Sequence, residues 1–126
     1  MENVRVHGHE VNGLNEALAI EATDEPGDGG AHHTYLIDLK ADENDSAWSP
    51  QQIMFQKGPI GEKGVNGLSG EALLAIVRHR LQCFQAGPYS CRENAIALTK
   101  IEEALHWLHH RTRERVARGV EGTSKL

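Results

Sequence analysis

Apolar and polar positions alternate through the first half of the chain, and the period then changes. "NVRVHGH" (3–9) and "QQIMFQ" (51–56) read as additional strands beside "NEALAIEAT" (15–23) and "HTYLIDL" (33–39), which carry apolar residues at alternating positions. That is the period of a strand with one covered face. Between the second and third runs, "DEPGDGGA" is turn chemistry: Pro26 fixes one backbone angle, and Gly27, Gly29 and Gly30 can take positive φ. The pattern predicts a β-hairpin with a long loop inside a small antiparallel sheet. The polar stretch "KADENDSAWSP" (40–50) reads as a loop before the last strand.

From Ser69 onward the period is helical. Leu73, Val77, Leu81 and Phe84 recur at helix spacing behind Ser69, which suits an N-cap, and Glu71 adds negative charge to the first turn. "QAGP" stops this helix, since Gly87 suits the C′ position and Pro88 cannot continue it. A second helix is predicted from about Cys91 to about Arg118, roughly 28 residues ending at Gly119. Ser90 and Glu93 form its capping box, and Leu98, Ile101, Leu105 and Leu108 form its apolar stripe. Two helices joined by so short a turn fold back as an αα-hairpin. The long second helix overhangs, so the N-terminal sheet and a second copy of the chain are expected to cover it. The expected class is α+β: an antiparallel sheet region over 1–57, a helical hairpin over 58–122 and a tail at 123–126.

Composition narrows the function. At 126 residues the chain can bury a core without disulfides or metal. No apolar run suits a signal peptide or a membrane span, so a soluble cytoplasmic protein is expected. In that compartment Cys83 and Cys91 are expected to be reduced, small packing residues. The net charge of −5 is uneven: residues 1–69 hold four Lys/Arg against twelve Asp/Glu, and residues 70–126 hold nine against six. The positive end can attract an anion, whereas a binder of long nucleic acid would more often be basic overall.

Candidate chemistry concentrates in "HWLHHRTRER" (106–115) and "CFQAGPYSCREN" (83–94). His106, His109 and His110 lack the carboxylate that completes a pattern such as H-E-x-x-H, so they read as surface histidines and no metal is expected. Trp107 and Leu108 read as packing residues. Neither the cysteines nor Ser69 and Ser90 pair with a base and an orienting group, so no catalytic constellation is expected. Arg111, Arg115 and Arg118 are different: at i, i+4 and i+7 they form a stripe whose planar guanidinium groups suit phosphate. Phe84 and Tyr89 offer aromatic faces, Asn94 offers a donor and an acceptor, and Arg92 adds charge, which is how single bases are commonly read. Phe84 serves equally well to close the hairpin core. Asn94 and Arg111 lie about 25 Å apart on one helix, so they can grip one small ligand only across two antiparallel copies.

These residues carry a resemblance. Residues 55–122, from "FQKGPIGEKGVNG" to "RERVARGVEG", resemble the helical-hairpin domain of phage anti-defence nucleotide sponges. "LAIEATDEPGDGGAHHTYLI" (18–37) resembles the N-terminal sheet of the Thoeris anti-defence branch; the related anti-CBASS sponges share the hairpin without the sheet. The resemblance implies a non-enzymatic protein, without cofactor, in the cytoplasm of the infected bacterial host. Such a protein holds a glycocyclic ADP-ribose messenger intact, and some members also hold cyclic oligonucleotides. It further implies a homodimer or a hexamer built as a trimer of dimers. The pocket lies between chains, at positions matching Phe84, Asn94, Arg111 and Arg115. Phe84 then stacks on adenine, Asn94 meets a base edge or ribose, and the two arginines clamp the diphosphate, with Lys57 and its loop as a closure. An enzyme degrading the same messenger and a nucleic-acid-binding regulator are the competing expectations.

Overall fold

A computed structural model describes residues 2–40 and 48–126. They form two compact units, 1–58 and 59–126. Residues 41–47, most of the stretch expected as a loop, lie outside the described residues.

The first unit is a four-stranded antiparallel meander, β1 (Val4–Val6), β2 (Leu18–Ala22), β3 (Thr34–Leu39) and β4 (Gln51–Met54), in that spatial order. Its register pairs Val6 with Ile20, Ile20 with Ile37, and Tyr35 with Ile53. Because strand side chains alternate between faces, this register gathers Val4, Val6, Leu18, Ile20, Ala22, Tyr35, Ile37, Leu39 and Ile53 on one side. Ala22 is buried there, and Tyr35 meets Phe55 edge to face at 5.8 Å. On the opposite side Arg5 faces its cross-strand neighbour Glu21 at 3.9 Å.

All four expected strands form, but residues 15–17 do not extend one of them. They belong to a short helix, α1 (Gly13–Ala17), whose cap is Asn12: its Oδ1 accepts from the Asn15 N–H at 2.9 Å. A local side-chain acceptor offers this backbone a helical turn before the strand begins. In the β2–β3 loop Gly29 and Gly30 take positive φ as expected, whereas Gly27 is at −89°. Gly27 has a different reason to lack a side chain, since a Cβ there would sit 2.9 Å from the His33 ring.

The second unit holds α2 (Ile60–Lys63), α3 (Gly70–Ala86) and α4 (Arg92–Ala117), with α3 and α4 packed as the expected hairpin. Ser69 caps α3, its Oγ accepting from Ala72 N–H at 3.1 Å. Gly87 closes α3 in an extended conformation, not the left-handed one expected of a C′ glycine. The cap of α4 is Cys91, not Ser90: Cys91 Sγ accepts from the Asn94 N–H at 3.4 Å. Gln85 Oε1 accepts from Cys91 N–H at 3.0 Å and closes the turn one residue later than the sequence suggests. Both cysteines are free and exposed, so they are not packing residues. Leu105 is the buried centre of the α4 stripe.

At 26 residues against 17, α4 outruns α3 by about 14 Å at 1.5 Å per residue. Within this unit the overhang finds a partner in the chain that follows it. Gly119, with φ +72°, turns the backbone, and the Gly61 N–H donates to the Gly122 carbonyl at 2.9 Å.

Candidate ligand-binding site

The arginine stripe is real. Arg111, Arg115 and Arg118, together with Glu114 and Leu126, line a cleft of about 300 Å³ at the C-terminal end of α4. Helical spacing explains their meeting, since i, i+4 and i+7 share one face. Their environments differ sharply. Arg111 is exposed, whereas the Arg115 side chain is 12% exposed and 3.7 Å from Glu121. Its guanidinium donates to the carbonyls of Val120 (3.0 Å), Thr123 (3.0 Å) and Lys125 (2.8 Å). Arg118 donates to the Leu126 backbone oxygen at 2.6 Å. Residues 123–126, expected as a tail, thus run back beside these arginines.

The other candidates gather at the opposite end of the hairpin. Phe84 stands on the last turn of α3, and the Arg80 guanidinium lies 5.5 Å from its ring centroid. That cation–π contact follows from the i, i+4 spacing, a signal the sequence offers directly. Phe84 is 39% exposed, so it does not close a sealed core. Tyr89 stands out from the interhelical turn, and Asn94 is half-buried in the first turn of α4, held by the Cys91 cap. Arg92 joins Ala95, Ile96, Thr99 and Lys100 around an open depression of about 340 Å³. Lys57 belongs to the first unit.

One chain therefore presents two half-sites. No break interrupts α4 between Asn94 and Arg111, so the separation of about 25 Å expected from helix rise stands. The histidines line neither half. His106 and His110 meet Trp107 edge-on at 5.5 and 5.8 Å, and His110 faces Glu114 at 3.8 Å. Trp107 is 64% exposed and so is not a packing residue of this hairpin, while Leu108 is half-buried.

Sequence reasoning missed the acidic ties of the first unit. Asp24 accepts the backbone N–H groups of His33 (2.9 Å) and Thr34 (3.2 Å). Desolvation pushes its carboxyl up, but these donors and the nearby His32 outweigh that and hold it below the usual carboxylate range. Glu10 is lowered as well, chiefly by the hydrogen bond from His7, with Lys40 adding charge. The signal for Asp24 was its place at the mouth of a glycine-rich loop, where a short carboxylate captures backbone donors.

The described residues define an α+β protein with an antiparallel sheet and a helical hairpin that ends in an arginine-lined cleft. Among them, no helix is long and apolar enough to cross a membrane. The chain belongs to the Acb2/Tad1 hairpin-domain family, whose model matches residues 50–113. Over 84 residues it is 52% identical to Thoeris anti-defense 1 of Bacillus phage SBSphiJ7. That alignment covers 67% of this chain and 59% of the relative, so the chain spans about three fifths of the protein it matches.

Proposed function

We propose that this protein is a phage anti-defence sponge, which binds a glycocyclic ADP-ribose immune messenger in the host cytoplasm and leaves it intact. The observation that carries the reading is the division of the hairpin: three arginines around a cleft at the far end of α4, and an aromatic side chain of α3 and an amide of α4 at the turn end. A diphosphate joined to a base needs both kinds of recognition. Two antiparallel copies would bring Arg111 and Arg115 of one chain against Phe84 and Asn94 of the next, forming two equivalent pockets. Phe84 stacks on the adenine, Asn94 bonds a base edge or ribose, and the arginines hold the phosphates.

The exposed apolar residues Ile76, Val77, Ile96, Trp107 and Val116 supply surface for such pairing. A dimer, or a hexamer of three dimers, is the assembly this reading requires, and a second site for cyclic oligonucleotides fits the same family. The likeness to Thoeris anti-defense 1 supports the anti-defence role.

The deciding experiment incubates the protein with glycocyclic ADP-ribose, denatures it and identifies what is released. Unaltered messenger, held until denaturation, is the expected result. A cleaved product would instead make the protein an enzyme, and steeply salt-dependent binding to long DNA or RNA would make it a nucleic-acid regulator.

A further inference from the structure

The Arg115 guanidinium carries an occupant from its own chain. Three of its N–H bonds already point at the carbonyls of Val120, Thr123 and Lys125, and Glu121 stands 3.7 Å from its Nε. A diphosphate arriving at the cleft meets an arginine with its donors engaged and a carboxylate beside it. The geometry points to residues 120–126 acting as an internal competitor that the ligand's phosphates displace. This inference rests on the proposed messenger site and names how that site is regulated.

The segment is built to be displaced. Apart from Val120 and Gly122, its residues are exposed, so little apolar burial holds it down. Its own backbone ties are few: Val120 N–H to the Arg115 carbonyl, Thr123 N–H to the Val120 carbonyl, and the Gly61 N–H to the Gly122 carbonyl. The remaining hold is through two arginines of the same cleft, Arg115 on three carbonyls and Arg118 on the Leu126 oxygen, so phosphates that take these guanidinium groups also release the segment. Phosphate oxygens are strong rivals for the carbonyls, because the guanidinium is charged in both cases but only the phosphate adds an opposite charge and a bidentate geometry that matches the arginine fork. The exchange also removes a charge conflict. Glu121 leaves with the segment as the diphosphate enters, and Arg111 is already exposed to make first contact.

Gly61 offers a lever that leaves the cleft residues unchanged. A Cβ there would sit 2.8 Å from the Gly122 carbonyl oxygen, closer than such contacts occur. Gly61→Ala therefore pushes the segment off its seat while favouring the α2 helix, in which alanine is the better former.

The test compares the full chain, Gly61→Ala and a chain lacking residues 120–126, each titrated with glycocyclic ADP-ribose. Amide exchange of residues 119–126 is followed in the full chain with and without ligand. Displacement predicts faster exchange in that segment when ligand binds. It also predicts tighter binding by both variants, about tenfold for the deletion, the factor lost when the competent state is populated about one tenth of the time. Binding to the deletion alone supports the competitor further. If the full chain binds while segment exchange stays unchanged or slows, and Gly61→Ala binds no tighter, the competitor is overturned and the sponge reading survives. If neither the full chain nor the variants bind, both fail together. Should the deletion not fold, Gly61→Ala and the exchange measurement decide alone.

Discussion

Asp24 and Arg115 do the same job with opposite chemistry. In the sheet unit a carboxylate collects two backbone N–H donors and ties the β2–β3 loop. In the hairpin unit a guanidinium collects three backbone carbonyls and ties residues 120–125. What differs is the chain on either side. The Asp24 loop is anchored at both ends by paired strands, so its side chain reinforces a closure that the sheet already enforces. The segment after α4 is instead held through the Arg115 and Arg118 guanidinium groups and the Gly61 N–H. A side chain that ties a loop between paired strands adds stability, whereas one that supplies most of a segment's ties decides whether that segment stays seated.

The largest break in this comparison is Arg115→Ala. It removes three charge-assisted bonds and one half of the proposed phosphate clamp, so affinity for glycocyclic ADP-ribose should fall by about 1–3 kcal/mol or more. Limited proteolysis should now cut within 119–126 while the hairpin keeps its helicity. Unchanged affinity with a released segment would leave Arg115 as a purely structural tie. Asn94→Ala, at the other end of α4, should weaken binding by about 1–3 kcal/mol with the segment still in place, as calorimetry and proteolysis together would show.

Asp24→Ala should act on stability instead, lowering the sheet's melting temperature by several degrees while the α3–α4 hairpin keeps its own. The pH dependence carries a sign. The Asp24 carboxyl is lowered in the folded protein relative to its ordinary value of 3.8. The unfolded chain therefore binds the proton more readily. The stabilisation is fully present above that value and is lost as pH falls through the lowered folded pKa. Thermal melts of the sheet should be flat from neutrality to about pH 5 and decline only below pH 4, and the variant should lose that acid-side decline. An equal decline in Asp24→Ala would assign it to another carboxylate, Glu10 being the next candidate because His7 and Lys40 lower it too.

How far the sequence reached follows from where each interaction partner lies. The four strands were legible because alternation is written in the strand itself, and the α4 stripe was legible for the same reason. That Arg111, Arg115 and Arg118 share one helix face followed from their i, i+4 and i+7 spacing; the cleft they line also needs Leu126, brought back by the chain after α4. Residues 15–17 were misread because the apolar pattern running into β2 hides the helical turn that Asn12 caps. Burial of Arg115 was invisible: its partners are main-chain carbonyls, which every residue has, and only the path of the chain after Gly119 brings three of them to one guanidinium. The exposure of Trp107 was invisible for a related reason, since its neighbours in the pattern suit a packed stripe and only the hairpin's crossing decides which face is covered.

The smallest effect concerns a third side chain that satisfies backbone, Cys91. Its Sγ accepts the Asn94 N–H at 3.4 Å, and sulfur is a weak acceptor. Ser69, capping α3 through oxygen at 3.1 Å, shows what the same position does with a better one. Cys91→Ser should therefore stabilise the start of α4 by roughly 0.5 kcal/mol, a small rise in the hairpin's melting temperature. The consequence for the comparison lies in Asn94. If its position depends on the cap, the tighter oxygen cap fixes its side chain more firmly and messenger affinity rises slightly with stability. If the two separate, with stability up and affinity unchanged, the turn closed by Gln85 and Cys91 N–H already holds Asn94 in place. The N-terminal half-site would then be anchored at both ends, like the Asp24 loop, leaving Arg115 as the half that moves.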